Sequence, residues 1–112
     1  MALDVNGKSI ETDDNGNLTD PGTWNEDVAK ALAAEENIEL TQEHFDVLNY
    51  LRSEFLDNGG EQPMERAINK GMSKIWDRKV SSKDLYNLFP GAPSKQGNRI
   101  AGLPYVASKG GY

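Results

Sequence analysis

The sequence predicts an α+β fold in which a small N-terminal β-meander packs on an array of about five helices and a flexible C-terminal arm follows. Two patterns carry this prediction. Residues 2–20 alternate apolar and polar side chains between tight turns, whereas residues 23–101 place apolar side chains at helical spacing between capping and breaking signals. The 112 residues suit one domain, which we expect over residues 1–104, with the arm over residues 105–112.

The predicted meander starts with two short strands joined by Asn6-Gly7. Asn-Gly is a strong signal for a two-residue hairpin turn because both positions tolerate a positive φ. A second turn is expected over residues 13–17, with Leu18 opening a short third strand. That turn is rich in Asp and Asn but lacks the ligand spacing and distal glutamate of an EF-hand, so no metal site is expected there.

Four helices and one shorter helical segment are expected after the meander. Thr23 and Glu26 fit a capping box at the start of the first helix. The start signals of the later helices are Thr41 for the second, Pro63 in the first turn of the third, and Ser81 or Ser82 for the fourth. Pro90 and Pro93 stop the fourth helix, and residues 94–101 allow one more short helix before Gly102.

Charge is distributed unevenly along the chain, whose net charge is −6. Residues 1–60 hold 14 acidic and 3 basic residues, whereas residues 61–112 hold 4 acidic and 9 basic residues. This asymmetry fits either two solvated faces of one domain or a basic face that meets an acidic partner. The basic face would comprise Lys70, Lys74, Arg78, Lys79 and Lys83.

Several classes of function find no support in the sequence. The chain contains no cysteine, which excludes disulfides, thiolate metal sites and thiol nucleophiles. His44 is the only histidine, and we expect a surface or half-buried structural role for it rather than catalysis. No metal, no cofactor and no enzymatic activity of the chain's own is expected. No apolar run approaches the ~18 residues of a membrane span and no signal peptide is evident, so the cytoplasm is the expected location.

The third and fourth helices also fit a helix-turn-helix, with Lys83, Tyr86 and Asn87 exposed on the reading helix. This pattern is common in helical cores without any DNA-binding role. The overall acidity of the chain argues against strong nucleic-acid binding, which depends on phosphate neutralisation. A nucleic-acid-binding regulator therefore stays as an alternative, with the helix pair and the basic face as its interface.

Nearly the whole chain resembles the DsrC/TusE family of sulfur-carrier proteins, related to the gamma subunit of dissimilatory sulfite reductase. The resemblance rests on Val5-Asn6-Gly7-Lys8, on Trp24, on residues 40–52, on Leu85-Tyr86-Asn87-Leu88-Phe89-Pro90, and on Arg99-Ile100-Ala101-Gly102-Leu103-Pro104. It implies a flexible arm on which the family carries sulfur as a cysteine persulfide. Aligned without gaps, the upstream family cysteine falls on Asn98 and the distal one on Lys109. Neither side chain has a thiol, so carriage by the family's mechanism is excluded.

The resemblance therefore implies a non-catalytic family member that docks on a sulfite reductase or sulfur-relay partner as a regulator or accessory subunit. The family's own activity, as sulfurtransferase or sulfite reductase gamma subunit, is the second alternative. The residues expected to form the docking surface are Phe89, Pro90, Pro93, Lys95, Gln96, Arg99, Gly102, Leu103 and Pro104.

Overall fold

The computed structural model of this protein describes residues 2–105. Strands β1 (Ala2–Val5) and β2 (Lys8–Glu11) form the expected antiparallel hairpin, with Leu3 opposite Ile10. The turn residues Asn6 and Gly7 have φ of 53° and 81°, the conformation that this dipeptide favours. Lys109 and most of the expected arm, residues 106–112, lie outside the described residues.

The expected third strand is reduced to one bridge between Thr12 and Leu18. The chain leaves the ladder there because Asp20 caps a short 3-10 turn, Pro21–Thr23, by accepting a hydrogen bond from the Gly22 amide at 2.9 Å. Pro21 has no N–H group with which to continue a β-ladder. The meander is therefore a two-stranded hairpin followed by an irregular crossing.

The helical part begins with α1 (Glu26–Glu35), α2 (Gln42–Asp57), α3 (Glu65–Ile75) and α4 (Ser82–Leu88). A π-helical turn, Pro93–Gly97, then leads directly into the single turn of α5 (Asn98–Ile100). This arrangement confirms the predicted α+β fold class. Along residues 2–105, none of the helices combines the length and the apolar character needed to cross a bilayer.

Two of the predicted helix starts are confirmed. Thr41 caps α2, and the side chain of Ser81 accepts a hydrogen bond from the Asp84 amide while Asp84 accepts one from the Ser81 amide. Each of these caps is a local pattern within four consecutive residues, which explains why the sequence reveals them.

The other two predicted starts are wrong. The capping residue of α1 is Asn25, whose side chain accepts a hydrogen bond from the Val28 amide at 2.9 Å. Thr23 is unavailable because its hydroxyl donates to the carbonyl of Asp20 at 2.7 Å inside the 3-10 turn. The third helix begins at Glu65 rather than at Pro63, since Met64 is still extended, with ψ of 172°.

One apolar core joins the hairpin to all the helices. Its central side chains come from α1, α2, α3 and α4 and include Leu32, Leu48, Ile68 and Leu85, each 0% exposed. The chain after α4 also enters this core: Ile100, Ala101 and Leu103 are fully buried as well. Residues 98–104, called here the C-terminal segment, therefore pack as part of the folded body.

Candidate functional site

The C-terminal segment is held in place by side chains from four distant parts of the chain. Four of its backbone carbonyl oxygens each accept one hydrogen bond. The pairs are Trp24 Nε1 to Ile100 (2.8 Å), Arg52 Nη1 to Ala101 (2.9 Å), Asn17 Nδ2 to Leu103 (3.1 Å) and Gln62 Nε2 to Pro104 (2.9 Å). Backbone groups without such partners would be costly inside a core, so these donors allow an irregular segment to be buried.

Gly102 lets the segment lie directly against Trp24. Its φ is +74°, and a Cβ atom placed on it would stand 2.5 Å from the Trp24 ring. The Arg52 guanidinium lies over the same indole, 4.4 Å from its centroid, and also donates to the Pro21 carbonyl at 3.1 Å. Burial lowers the pKa of Arg52 from its usual value, but the side chain stays cationic. Glycine is thus required here for two independent reasons, its backbone conformation and the contact with Trp24.

Asn98 opens the C-terminal segment and is almost completely buried, at 1% exposure. Its amide nitrogen donates to the carbonyl of Ser94, one turn earlier, while its Oδ1 atom has no hydrogen-bond partner among residues 2–105. Ser94 is also buried, and both its amide and its hydroxyl donate to Oε1 of Glu65 at the start of α3. Asn98 therefore faces the interior, in a turn that is fastened to the body of the domain.

Arg99, the next residue, points toward the surface and organises a polar network. Its guanidinium forms ion pairs with Glu35 and Glu36 at the end of α1, and its Nε donates to the carbonyl of Gly16 at 3.0 Å. Gln96 joins the network by donating to Glu36 at 3.0 Å. Burial alone would raise the pKa of Glu36, but the hydrogen bonds from Gln96 and Arg99 and the Arg99 charge outweigh it and lower that pKa below its usual value.

A cleft of about 210 Å³ lies beside this network and is called here the Arg99 cleft. Lys95, Gln96 and Arg99 line one part of it, with Glu36 and Tyr105 also contributing. Its walls are mostly polar and charged. A set of hydrogen-bonding groups of this kind suits recognition of a polar protein segment better than binding of an apolar small molecule.

Comparison with known proteins identifies the fold and its relatives. The chain matches the family described as DsrC like protein over residues 4–107. It belongs to this family. Among its relatives is a protein named sulfurtransferase TusE homolog from Haemophilus influenzae, which is 41% identical over 106 residues, 94% of this chain and 96% of that protein. Sulfurtransferase TusE from Escherichia coli is 37% identical over 98 residues, covering 88% of this chain and 90% of that protein.

Solved DsrC structures share the fold over almost their whole length. The oxidized gamma-subunit of the dissimilatory sulfite reductase (DsrC) from Archaeoglobus fulgidus superposes with a TM-score of 0.88 at 37% identity. DsrC from Allochromatium vinosum gives 0.87 at 38% identity, and each comparison covers 97% of this chain and 99% of the other. The expected resemblance is therefore confirmed, and with it a place among the sulfur-relay proteins of sulfur metabolism.

Within this DsrC-like fold, the nine residues expected to form the docking surface divide into two groups. Five are accessible: Pro90 and Lys95 are exposed, and Gln96, Arg99 and Pro104 are half-buried. The other four are buried, namely Phe89, Pro93, Gly102 and Leu103. The buried group packs in the core, so in this conformation a partner can touch only the accessible group.

The predicted basic face is exposed, but its cations are not equivalent. Arg78 pairs with Glu43 at 3.2 Å, lies 3.9 Å from Asp84 and stacks over Trp76, so part of its charge is neutralised. The four lysines, Lys70, Lys74, Lys79 and Lys83, are exposed. Lys83, Tyr86 and Asn87 are exposed on α4, as the helix-turn-helix alternative requires, although α4 has only seven residues. No geometric feature singles out this helix pair as a nucleic-acid interface.

His44 is buried, with 6% exposure, rather than at the surface or half-buried as expected. Its Nδ1 accepts a hydrogen bond from the Thr41 amide at 3.0 Å, so the proton of the neutral ring lies on Nε2, which donates to the carbonyl of Leu88 at 2.9 Å. His44 thus joins the start of α2 to the end of α4. Among residues 2–105, no three His, Asp or Glu side chains are grouped so that they could hold a metal ion.

Sequence reasoning missed the side chains that fasten the C-terminal segment, apart from Trp24, which the family resemblance singled out. Asn17, Arg52 and Gln62 carry no local motif. Arg52 alone has a visible signal: it lies four residues after Leu48 and three before Phe55, so it interrupts the apolar stripe of α2. A cation on such a stripe requires partners in the folded protein.

Proposed function

We propose that this DsrC-like protein docks in the cytoplasm on a partner of sulfur metabolism, a sulfite reductase or a sulfur-relay subunit. It acts there as a regulator or accessory subunit and carries no persulfide. The observation that carries the proposal is Asn98: the position matched to the family's upstream cysteine holds a buried amide that donates a hydrogen bond within the fold.

The chemistry of persulfides supports the second half of the proposal. A persulfide forms on a thiolate, and the sequence contains no cysteine. Asn98 and Lys109, at the two matched positions, offer an amide and an amine. Without a thiol, the fold can still contribute through its surface, by binding a partner protein.

The accessible residues around the Arg99 cleft support the first half. Lys95, Gln96 and Arg99 line this cleft. Arg99 belongs to the C-terminal segment, whose backbone is already fixed by four hydrogen bonds and by the contact between Trp24 and Gly102. A surface that is ordered before binding loses little conformational entropy when a partner docks. The fastened segment therefore favours a role in recognition that is independent of sulfur chemistry.

A binding measurement with two charge reversals tests the proposal. The full chain is titrated by biolayer interferometry against a dissimilatory sulfite reductase and against the sulfurtransferase subunits of the same organism. Lys95→Glu changes an exposed residue at the Arg99 cleft, and Lys8→Glu makes the same change on strand β2. We expect binding to one partner, weakened about tenfold or more by Lys95→Glu and less than about twofold by Lys8→Glu.

Two outcomes would contradict this assignment. Absence of binding to every sulfite reductase and sulfur-relay subunit, at concentrations above about 100 μM, would remove the docking role itself. Equal weakening by both substitutions would place the contact away from the Arg99 cleft.

A further inference from the structure

A second surface, separate from the Arg99 cleft, lies between α2 and α3. It is a groove of about 440 Å³, called here the α2–α3 groove, and it shares no lining residue with the Arg99 cleft. Tyr50, Ala67, Gly71 and Ile75 provide its apolar surface. Ile75, at the end of the amphipathic helix α3, is 52% exposed and adds apolar surface that is open to solvent.

The shape of the groove depends on Gly71. A Cβ atom at this position would stand 2.5 Å from the ring of Tyr50, so glycine allows the ring to lie against the backbone of α3. The hydroxyl of Tyr50 donates to the carbonyl of Ala67 at 3.3 Å and holds the ring there. Glycine inside a helix is unfavourable by itself. The close approach of the Tyr50 ring explains why α3 has glycine at this position.

Positive charge borders the apolar surface. Lys70 and Lys74 are both exposed, lie one helical turn apart on α3, and take part in none of the ion pairs formed within residues 2–105. Like charges at this spacing disfavour the helix slightly. Lys74 in the last turn is compensated by the helix dipole, whereas Lys70 in the middle of α3 is not. Glu54 on α2 is the one carboxylate in the lining, so cations predominate.

We propose that the α2–α3 groove binds an acidic segment of a partner protein. An apolar side chain of that segment packs between Tyr50 and Ile75, and its flanking carboxylates lie beside Lys70 and Lys74. The unpaired lysines supply charge complementarity to the acidic segment. Tyr50 and Ile75 supply the apolar contact that anchors it. This is a second docking face, and it stands whether or not the Arg99 cleft binds a sulfite reductase or relay subunit.

The probe is a short capped peptide in which one leucine is flanked by glutamates, titrated into the isotope-labelled full chain and followed by amide chemical shifts. We expect shifts confined to residues around Tyr50, Gly71 and Ile75. The double variant Lys70→Glu/Lys74→Glu should weaken binding about tenfold or more. The matched control Lys79→Glu/Lys83→Glu, with the same charge change in the same basic half of the chain, should weaken it less than about twofold. Ile75→Ser removes the apolar contact and should also weaken binding without a loss of fold, since Ile75 is half exposed.

Four results would overturn the proposal. If the peptide causes no chemical-shift changes, the groove is not a binding site. If both double variants weaken peptide binding equally, the binding comes from the overall positive charge of this half of the chain and not from the groove. Shifts at the same residues that grow with protein concentration, without any peptide, would make a second copy of this chain the occupant. Tighter binding of an oligonucleotide than of the acidic peptide would make the groove a phosphate-binding surface.

Discussion

The indole Nε1 of Trp24 donates a hydrogen bond of 2.8 Å to the carbonyl oxygen of Ile100, 76 positions later in the chain. The same indole contacts Gly102 on one side and the Arg52 guanidinium on another. Trp24 is therefore the point at which the N-terminal part of the domain fixes the C-terminal segment. The docking surface that we propose at the Arg99 cleft depends on this attachment.

Gly102→Ala should destabilise the protein by about 2–4 kcal/mol, because alanine disfavours a φ of +74° and its methyl group would collide with Trp24. The free energy of unfolding from urea titration measures this loss. Gly7→Ala is the matched control: its φ is +81°, but nothing lies within 4 Å of the added carbon, so about 1 kcal/mol is expected. Equal losses for the two variants would show that the contact with Trp24 contributes nothing.

Asn98→Cys should introduce a thiol that is protected from solvent. The side chain at this position is 1% exposed, so an aromatic disulfide reagent can reach it only after local opening. We expect labelling at least about a hundredfold slower than for Lys95→Cys, which places a thiol at an exposed position three residues earlier. Comparable labelling rates for the two variants would mean that the C-terminal segment opens readily. That result would contradict the conclusion that its hydrogen bonds hold it in the core.

The ion pairs of Arg99 should make stability sensitive to acid through Glu36. The pKa of Glu36 is lowered in the folded state, so its contribution is present above the usual carboxyl pKa of 4.5 and is lost as pH falls through and below that value. Glu36→Gln should therefore cost about 1 kcal/mol or less at about pH 7, and this cost should shrink toward about pH 3. Urea unfolding at several pH values measures it, with Glu39→Gln, an exposed carboxylate outside these pairs, as control. A cost that is independent of pH would contradict the assignment.

Asn25→Ala should destabilise the protein by about 1 kcal/mol, because it removes the side chain that accepts the Val28 amide at the start of α1. Thr23→Ala, at the start that the sequence pattern favoured, should cost less than about 0.5 kcal/mol, since its hydroxyl only donates to an exposed turn carbonyl. Thermal unfolding of both variants compares the two. A larger loss at Thr23 would restore the sequence-based assignment.

The helices and their local caps follow from the sequence because their signals are short-range. Thr41 and Ser81 each cap a helix through a partner three residues later. The prediction that Thr23 caps the first helix was wrong because Asp20 and Pro21 start a 3-10 turn, in which the Thr23 hydroxyl donates to the Asp20 carbonyl. Competing turn chemistry within a few residues decided that helix boundary.

The fastening of the C-terminal segment could not be predicted in the same way. Asn17 and Leu103 are 86 positions apart, and Arg52 and Ala101 are 49 apart. The acceptors are backbone carbonyls, which every residue possesses, so no residue pattern marks them. Resemblance to the DsrC/TusE family singled out this segment as a docking surface, which stays a prediction. The structure was needed to separate its accessible residues from those, such as Phe89, that belong to the core.

Mass spectrometry of a mixture with a partner tests most directly whether this protein docks without carrying sulfur. The chain is mixed with a persulfide-loaded sulfurtransferase and, separately, with a dissimilatory sulfite reductase, and the mass of each complex and of the released chain is recorded. The account predicts a complex with one of them and a released chain of unchanged mass. A chain that gains the mass of one sulfur atom, reversibly with reductant, would contradict it, and so would the absence of any complex.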